Sequence, residues 1–246
     1  MKLHRTIGTA LLVCLAGGSG ATDTQAIKSA LETKMPGVRV RTVTKAPYAD
    51  LYEVVANGFN VFYTDEKGEV AFVGKVVDLR TRADLTERRV EQLMTIDFSR
   101  LPLDKAIRRV KGNGSRRLAL FSDPDCPYCR ELEKELESVT DVTTYTFLLP
   151  LTSIHPDAMR KAQLIWCAAD RAKAYDELML KAKEPAGDGK CETPIDDIVA
   201  LARELWIEGT PGMVFGSGKL VPGALKRHQI EALLDGAPKR QNDFRR

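Results

Sequence analysis

The spacing of apolar positions changes several times along the chain, and each change marks an element. From Asp23 to Met35, Ile27, Leu31 and Met35 recur every fourth residue. That spacing puts them on one face of a helix, which Asp23 can cap and Pro36-Gly37 stops. The period then drops to two. Val38 to Arg41 alternates, Leu51 to Ala56 is strand-like up to the turn pair Asn57-Gly58, and Phe59 to Tyr63 is joined through Asp65-Glu66-Lys67-Gly68 to a strand over Val70 to Leu79. A small helix-plus-antiparallel-sheet domain is therefore predicted over 22–82.

Thr81 to Ile96 is charged and helical with few apolar positions, which fits a solvated connecting helix, and Leu103 to Val110 reads as a second helical stretch. A linker helix is placed at 83–105 and a second domain at 106–238. Arg116 to Ser122 has the continuous apolar centre Leu118-Ala119-Leu120-Phe121, which suits a strand covered on both faces. A helix follows from about Cys126 to Glu137, a second buried-type strand from Val142 to Leu149, and helices over Asp157 to Lys183 and Pro194 to Leu205. Short strands at Met213–Phe215 and Lys219–Val221 and a last helix from Lys226 to Leu234 close the domain. Strand, helix, strand, a long helical section, two short strands and a helix make an α/β layout. Residues 239–246 form a polar tail.

The first 21 residues follow another logic. Lys2 and Arg5 form a short basic region, Ile7 to Ala16 is apolar apart from Gly8 and Thr9, and Ser19-Gly20-Ala21 fits a small-x-small cleavage site. This is the pattern of a secretory signal peptide cleaved near Ala21. Lipid attachment at Cys14 would want a small residue ahead of it, where Val13 stands. Cleavage lowers the formal charge from +3 to +1 and the cysteine count from five to four. A near-neutral chain of interspersed signs offers no basic stripe for nucleic acid and no polybasic cluster for anionic lipid. Four cysteines exported to an oxidising compartment can pair with none left over.

The chemistry centres on Cys126-Pro127-Tyr128-Cys129, where a buried strand ends and a helix begins. The first turn of a helix offers unbonded N–H groups and the positive end of the dipole, which favour a thiolate, and the thiolate is the nucleophile. Two intervening residues place the second sulfur within reach of the first. Cys126, at the exposed cap, attacks a substrate disulfide; Cys129, shielded beneath, releases it. Pro127 presets the first helical φ and removes an amide. Asp123 and Asp125 oppose the thiolate, and the sequence does not show which influence wins. Zinc would need two more ligands at suitable spacing, and neither Cys167, Cys191 nor any of the three histidines supplies them, so no metal and no cofactor is expected.

Cys167, in a helix, and Cys191, in a loop rich in Pro, Gly and charge, read as a structural disulfide worth roughly 3–4 kcal/mol by loop closure; a second redox site there would lack C-x-x-C geometry. Gly209-Thr210-Pro211 alone is a turn, but it precedes a strand well downstream of a C-x-x-C helix, where a cis proline would bring the Thr210 backbone beside Cys126. His155 reads as a surface-loop residue, Trp166 and Trp206 as helical core residues, and the pairs Arg88-Arg89 and Arg108-Arg109 as solvated helix faces.

Together, Phe121 to Cys129, Ile165-Trp-Cys167-Ala, Gly209-Thr-Pro211 and Leu220-Val-Pro-Gly223 resemble the DsbC/DsbG family of periplasmic disulfide isomerases, and Val54 to Asp78 is similar to the hairpin of its N-terminal domain. The resemblance implies an α+β protein: a thioredoxin-like domain with a helical insertion, joined by a linker helix to a small cystatin-like dimerisation domain. Two subunits would form a V with an apolar cleft for misfolded disulfide-containing exported proteins. By the same resemblance Cys126 is the nucleophile, Cys129 resolves, Pro211 is a cis proline after Thr210, Cys167 and Cys191 form the structural disulfide, and an inner-membrane thiol reductant of the DsbD type keeps the site reduced. Thr210, Pro211, Pro127 and Tyr128 are the expected client-binding residues. Pro127-Tyr128 is more similar to the DsbG branch, so a reductase protecting single cysteines stands as the alternative to isomerisation, with a thiol-independent holdase chaperone as a third reading.

Overall fold

A computed structural model describes residues 20–236. All but the last two residues of the expected leader, Cys14 included, and the polar tail lie outside the described residues. Two compact units divide at Val76/Val77.

In the first unit α1 (Gly20–Lys34) precedes β1 (Val40–Lys45), β2 (Tyr52–Ala56), β3 (Asn60–Thr64) and β4 (Ala71–Phe72), an antiparallel sheet in the order β1-β2-β3-β4. Ile27 and Leu31 of α1 pack on Val40, Val54, Ala56 and Phe62, so the four-residue apolar spacing becomes the helix's buried stripe. Asn57 (φ 45°) and Gly58 (φ 81°) make the β2–β3 turn, and Asn57 Oδ1 accepts the Arg39 N–H at 2.8 Å. Two details differ from the sequence reading. The helix begins at Gly20, so Asp23 lies inside it and not at its cap. The long strand expected from Val70 shrinks to Ala71–Phe72, because Gly74 at φ 154° breaks the extended run.

The second unit opens with a short hairpin, β5 (Val77–Asp78) and β6 (Ala83–Asp84), followed by α2 (Leu85–Leu93). Asp84 caps α2 by accepting the Glu87 N–H. The helix is shorter than the linker expected over 83–105. Beyond it the Ile96 N–H bonds Gly218 O at 2.7 Å and Met94 O accepts the Leu220 N–H at 2.8 Å, and two single turns of 3₁₀ helix follow.

The main sheet has the order β11-β10-β8-β9-β7. It is built from β7 (Ile107–Lys111), β8 (Arg116–Ser122), β9 (Val142–Leu148), β10 (Gly212–Phe215) and β11 (Leu220–Pro222). β8 and β9 run parallel; the other pairings are antiparallel. The helices are α3 (Pro127–Leu136), α4 (Ala158–Cys167), α5 (Arg171–Lys181), α6 (Ile195–Glu204) and α7 (Arg227–Leu234). One core joins Ile107, Leu148, Ile165, Tyr175, Leu178 and Ile195; another joins Leu118, Leu120, Leu132, Met213, Phe215 and Ile230. Helices thus cover both sides of β8, whose residues Leu118 to Ser122 are all buried.

Leu103 to Val110 is not one helix: Leu103–Lys105 is a single 3₁₀ turn. From Ile107 it is an edge strand, paired from Ile107↔Thr146 to Lys111↔Val142. The ladder with β9 satisfies its backbone, and Ile107 and Arg109 turn inward while Arg108 and Val110 face out, a period of two. Gly112 (φ 57°) closes the strand where a Cβ would stand 2.8 Å from the Asp141 amide nitrogen. Trp206 is also not a helical core residue. It sits just past α6 at φ 60° and is half-buried, while the Ile207 N–H reaches back to Ala202 O at 2.8 Å and Ile207 takes the buried place. Trp166 is buried in α4.

Candidate active site

β8 ends at Ser122 and the chain turns through Asp123, Pro124 and Asp125 into α3. Cys126 occupies the N-cap position with extended dihedrals (φ −69°, ψ 119°) and Pro127 the first helical position. No side chain caps this helix, so its first N–H groups face the Cys126 sulfur. Cys129, Leu132, Glu133 and Leu136 form the buried stripe of α3. The i, i+3 spacing therefore puts Cys126 at the mouth of the site and Cys129 beneath it.

Both cysteines are unbonded thiols. Cys129 has no exposed surface and Cys126 keeps 4 %, less than a fully open cap would give. The Thr210–Pro211 loop covers it. That peptide bond is cis, and Thr210 O lies 3.4 Å from Cys126 Sγ as its hydrogen-bond acceptor. Tyr128, by contrast, is 61 % exposed beside the opening. Tyr128, Thr210, Glu131, Gly223, Leu225 and Lys226 line a cavity of about 400 Å³. Of the four expected client-binding residues, Tyr128 and Thr210 line this cavity; Pro127 is exposed at the start of α3, and Pro211 is buried behind Thr210.

The two thiols titrate in opposite directions. A hydrogen bond from Cys129 is the largest influence on Cys126; burial opposes it, and the Thr210 side chain and the N–H groups of Cys129 and Tyr128 add to it, bringing Cys126 down to about 5. Cys129 is pushed up, first by burial and then by its hydrogen bond with Cys126 and the charge there; a hydrogen bond with Ser122 pulls the other way. The acidic neighbours do not prevent this, because each carboxylate has its own partners. Asp125 pairs with Lys161 at 2.5 Å and Arg130 at 3.7 Å. Asp123, fully buried, accepts the N–H groups of Asp125 (2.7 Å) and Leu151 (2.6 Å) and lies 3.0 Å from His155 Nδ1. His155 is therefore a half-buried partner of the turn that leads into α3 and not a solvated loop residue. Its sequence signal was the buried-strand context of Asp123, which needs a partner once covered.

Cys167, the last residue of α4, is bonded to Cys191 in the loop before α6, with Cα atoms 5.7 Å apart. Among the described residues no group of three or more His, Cys, Asp or Glu could hold a metal ion, and no helix is long and apolar enough to cross a membrane.

One constellation escaped the sequence reading. Arg109, taken there for a solvated helical residue, reaches inward from β7 and makes a two-pronged ion pair with Glu133 (2.7 and 2.8 Å), a bond to Asp176 (2.6 Å) and a stack over the Tyr175 ring at 4.7 Å. Tyr175 Oη lies 2.7 Å from Ser122 Oγ and 3.0 Å from Glu133 Oε1. The signal that could have found it is Glu133 on the apolar stripe Cys129, Leu132, Leu136, a charge that must be paired where it is buried.

Comparison with known proteins agrees with this geometry. Residues 103–238 match the family of thioredoxin-like domains and residues 18–87 the N-terminal domain of disulfide bond isomerase proteins. The chain is 42 % identical over 216 residues to a probable thiol:disulfide interchange protein DsbC of Bordetella pertussis, covering 87 % of this chain and 76 % of the relative. It is 28 % identical to the thiol:disulfide interchange protein DsbC of Escherichia coli, covering 93 % and 95 %. A crystal structure of a disulfide interchange protein from Neisseria gonorrhoeae superposes with a TM-score of 0.54 at 45 % identity, covering 55 % of this chain and 97 % of that one.

Proposed function

We propose that this chain, which belongs to the DsbC family of thiol:disulfide interchange proteins, rearranges non-native disulfides in exported proteins. Thiol–disulfide exchange is the activity of its family; isomerisation is the finer reading. The observation that carries it is the Cys126 thiol, lowered to about 5 beside a Cys129 thiol that burial holds protonated. At neutral pH one sulfur is ready to attack and the other waits. The Cys126 thiolate attacks one sulfur of a client disulfide, forming a mixed disulfide and releasing the other client sulfur as a thiolate. A second client thiol then displaces Cys126, which leaves a rearranged client. If none arrives, Cys129 attacks Cys126 and releases the client reduced.

Client recognition falls to the opening around Cys126. Tyr128 offers an exposed aromatic face, and the adjoining cavity has room for a side chain flanking the client cysteine. Thr210 and Pro211 present a backbone edge beside the sulfur, where an extended segment can lie. The first unit is the dimerisation domain of a homodimer, a reading supported by the family of residues 18–87 and by Val70, Phe72 and Val73, exposed on and beside the edge strand β4. Localisation to the periplasm follows from the leader pattern, and an inner-membrane thiol reductant would return Cys126 and Cys129 to thiols.

Reactivation of ribonuclease carrying scrambled disulfides, in a glutathione buffer, tests this. Recovery well above buffer that is lost in Cys126→Ala supports isomerisation. A reduced, folded protein that gives no recovery overturns it and leaves the protective reductase that Pro127-Tyr128 favours. Protection of a client from aggregation that survives Cys126→Ala would be the mark of a holdase.

A further inference from the structure

We infer that the cavity between α3 and the chain leaving β11 is a subsite for a cationic client side chain, and that Glu131 sets this preference. Client cysteines with a lysine or arginine close by are then attacked faster than others. The inference rests on the proposed exchange chemistry and names the class of client that the opening selects.

Three segments build the cavity. α3 contributes Tyr128, Glu131 and Glu135, whose spacing puts them on one face of the helix. The chain leaving β11 contributes Gly223 to Lys226. Thr210 is the third wall, and its carbonyl oxygen lies 3.4 Å from Cys126 Sγ. One residue thus borders both the cavity and the attacking atom. The walls are also tied to one another. The Gly223 N–H bonds Pro211 O at 2.8 Å. Lys226 Nζ lies 3.0 Å from Glu135 Oε1, and Glu135 Oε2 accepts the Arg227 N–H at 2.9 Å. The space is therefore preformed.

Its charges do not cancel. Glu135 spends both carboxylate oxygens on the start of α7, and Lys226 spends its ammonium on Glu135. Glu131 is exposed and has no hydrogen bond or ion pair among the described residues. Two carboxylates meet one ammonium, and the unspent charge is that of Glu131. The rest of the lining includes the Tyr128 ring, Ala224 and Leu225, which are apolar. A lysine or arginine side chain matches both features. Its methylene stem covers apolar surface while its charged head stays with the carboxylate and water. The Tyr128 ring, 61 % exposed, offers a face on which a cation can stack. An acidic client side chain would meet Glu131 as a like charge.

The competing explanation is an apolar subsite, with Glu131 only a solvated residue of α3. It requires norleucine to serve at least as well as lysine. The chain as a whole does not favour cations either, because its formal charge is +3. A preference for lysine must therefore come from a local charge.

The test uses the mature protein with Cys126 and Cys129 reduced, and short peptides whose one cysteine carries thionitrobenzoate. The Cys126 thiolate attacks the peptide sulfur, the Cys126–peptide disulfide forms, and thionitrobenzoate leaves with the electron pair, read by its colour in stopped flow. The peptides carry lysine, norleucine or glutamate at one place, moved from two residues before the cysteine to two residues after it. Each rate is divided by that of the same peptide with mercaptoethanol, which removes the peptide's own reactivity. At the place that reaches the cavity, lysine should react about threefold to tenfold faster than norleucine, the size of one exposed ion pair with a cation–aromatic contact. Glutamate should be slower than both, and the lysine advantage should shrink at high salt. Glu131→Gln should bring the lysine-to-norleucine ratio below about two, and Glu131→Lys should turn the preference to glutamate. Glu204→Gln, the same change of charge on the exposed side of α6, should keep the ratio. A ratio near one at every place, a preference for norleucine, a lysine advantage undiminished in Glu131→Gln, or one lost equally in Glu204→Gln overturns the inference. No release from any peptide would remove the proposed function and this inference together; equal release from all of them removes this inference alone.

Discussion

Thr210 O lies 3.4 Å from Cys126 Sγ, although 84 residues separate the two in the chain. β8 and β10 are neighbouring strands with Phe121 opposite Gly212, so the loop after β8 and the loop before β10 meet at one edge of the sheet. The Thr210 carbonyl and the Cys126 sulfur are thereby held together, and they cannot drift apart without breaking the central strands.

The acidity of Cys126 sets the pH range of attack. Alkylation of the reduced protein by iodoacetamide should modify one thiol rapidly, with a rate profile whose midpoint lies at about 5. Cys129 should stay unmodified through the ordinary thiol range near 8.5. A midpoint near 8.5 for the fast thiol would mean that the hydrogen bonds around Cys126 do not hold the thiolate.

The same ionisation links stability to pH. Folding lowers the Cys126 thiol, so between about 5 and its ordinary value the unfolded chain binds a proton that the folded chain lacks. Stability of the reduced protein should rise with pH through that window, and the contribution is lost as pH falls through about 5. Above the ordinary thiol value Cys129 reverses the sign, because there the unfolded chain ionises and the buried thiol does not. Melting temperatures of the reduced protein, minus those of Cys126→Ser, should therefore grow from pH 5 to pH 8. A flat difference would contradict the assignment.

Arg109→Ala should lower stability by about 3–5 kcal/mol in urea unfolding, because it leaves the Glu133 carboxylate buried without its cation. Arg108→Ala, its neighbour on the exposed face of β7, should cost less than about 0.5 kcal/mol. Similar values for the two would place Arg109 in solvent, as the sequence suggested.

Replacing Cys167 and Cys191 together by alanine should cost roughly 3–4 kcal/mol, from the loop closed over a separation of 24 residues. The alkylation profile of Cys126 should keep its midpoint, since the disulfide lies outside the attacking constellation. A shifted midpoint would show that it also shapes the active site.

The sequence was most readable where chemistry and backbone coincide. Cys126-Pro127-Tyr128-Cys129 at the end of an unbroken apolar strand marks a helix start with a sulfur at its cap, and Gly209-Thr210-Pro211 lies beside that sulfur with a cis proline, which spacing alone left open and the family resemblance implied. It was least readable where a residue's partner is remote. Leu103 to Val110 has helical composition, and only pairing with β9 makes a strand of its second half. Once the period changes from 3.6 to 2, Arg109 moves from surface to core, which is why the Arg109–Glu133–Tyr175 constellation stayed hidden. The Asp123–His155 contact hid for a similar reason: 32 residues separate the two, and no local pattern joins them.

The Cys167–Cys191 bond stands in the same unit as two unbonded thiols, and Cys191 is exposed. The working enzyme must therefore carry one sulfur pair oxidised and another reduced at the same moment, in the same surroundings. Shielding by the core does not separate them, since the pair to be preserved is the more open one. What separates them is thermodynamic: the bridged pair closes a loop between helices, while the C-x-x-C pair is stabilised as a thiolate and a thiol. Any reductant serving this protein has to work in the interval between two potentials set by one fold.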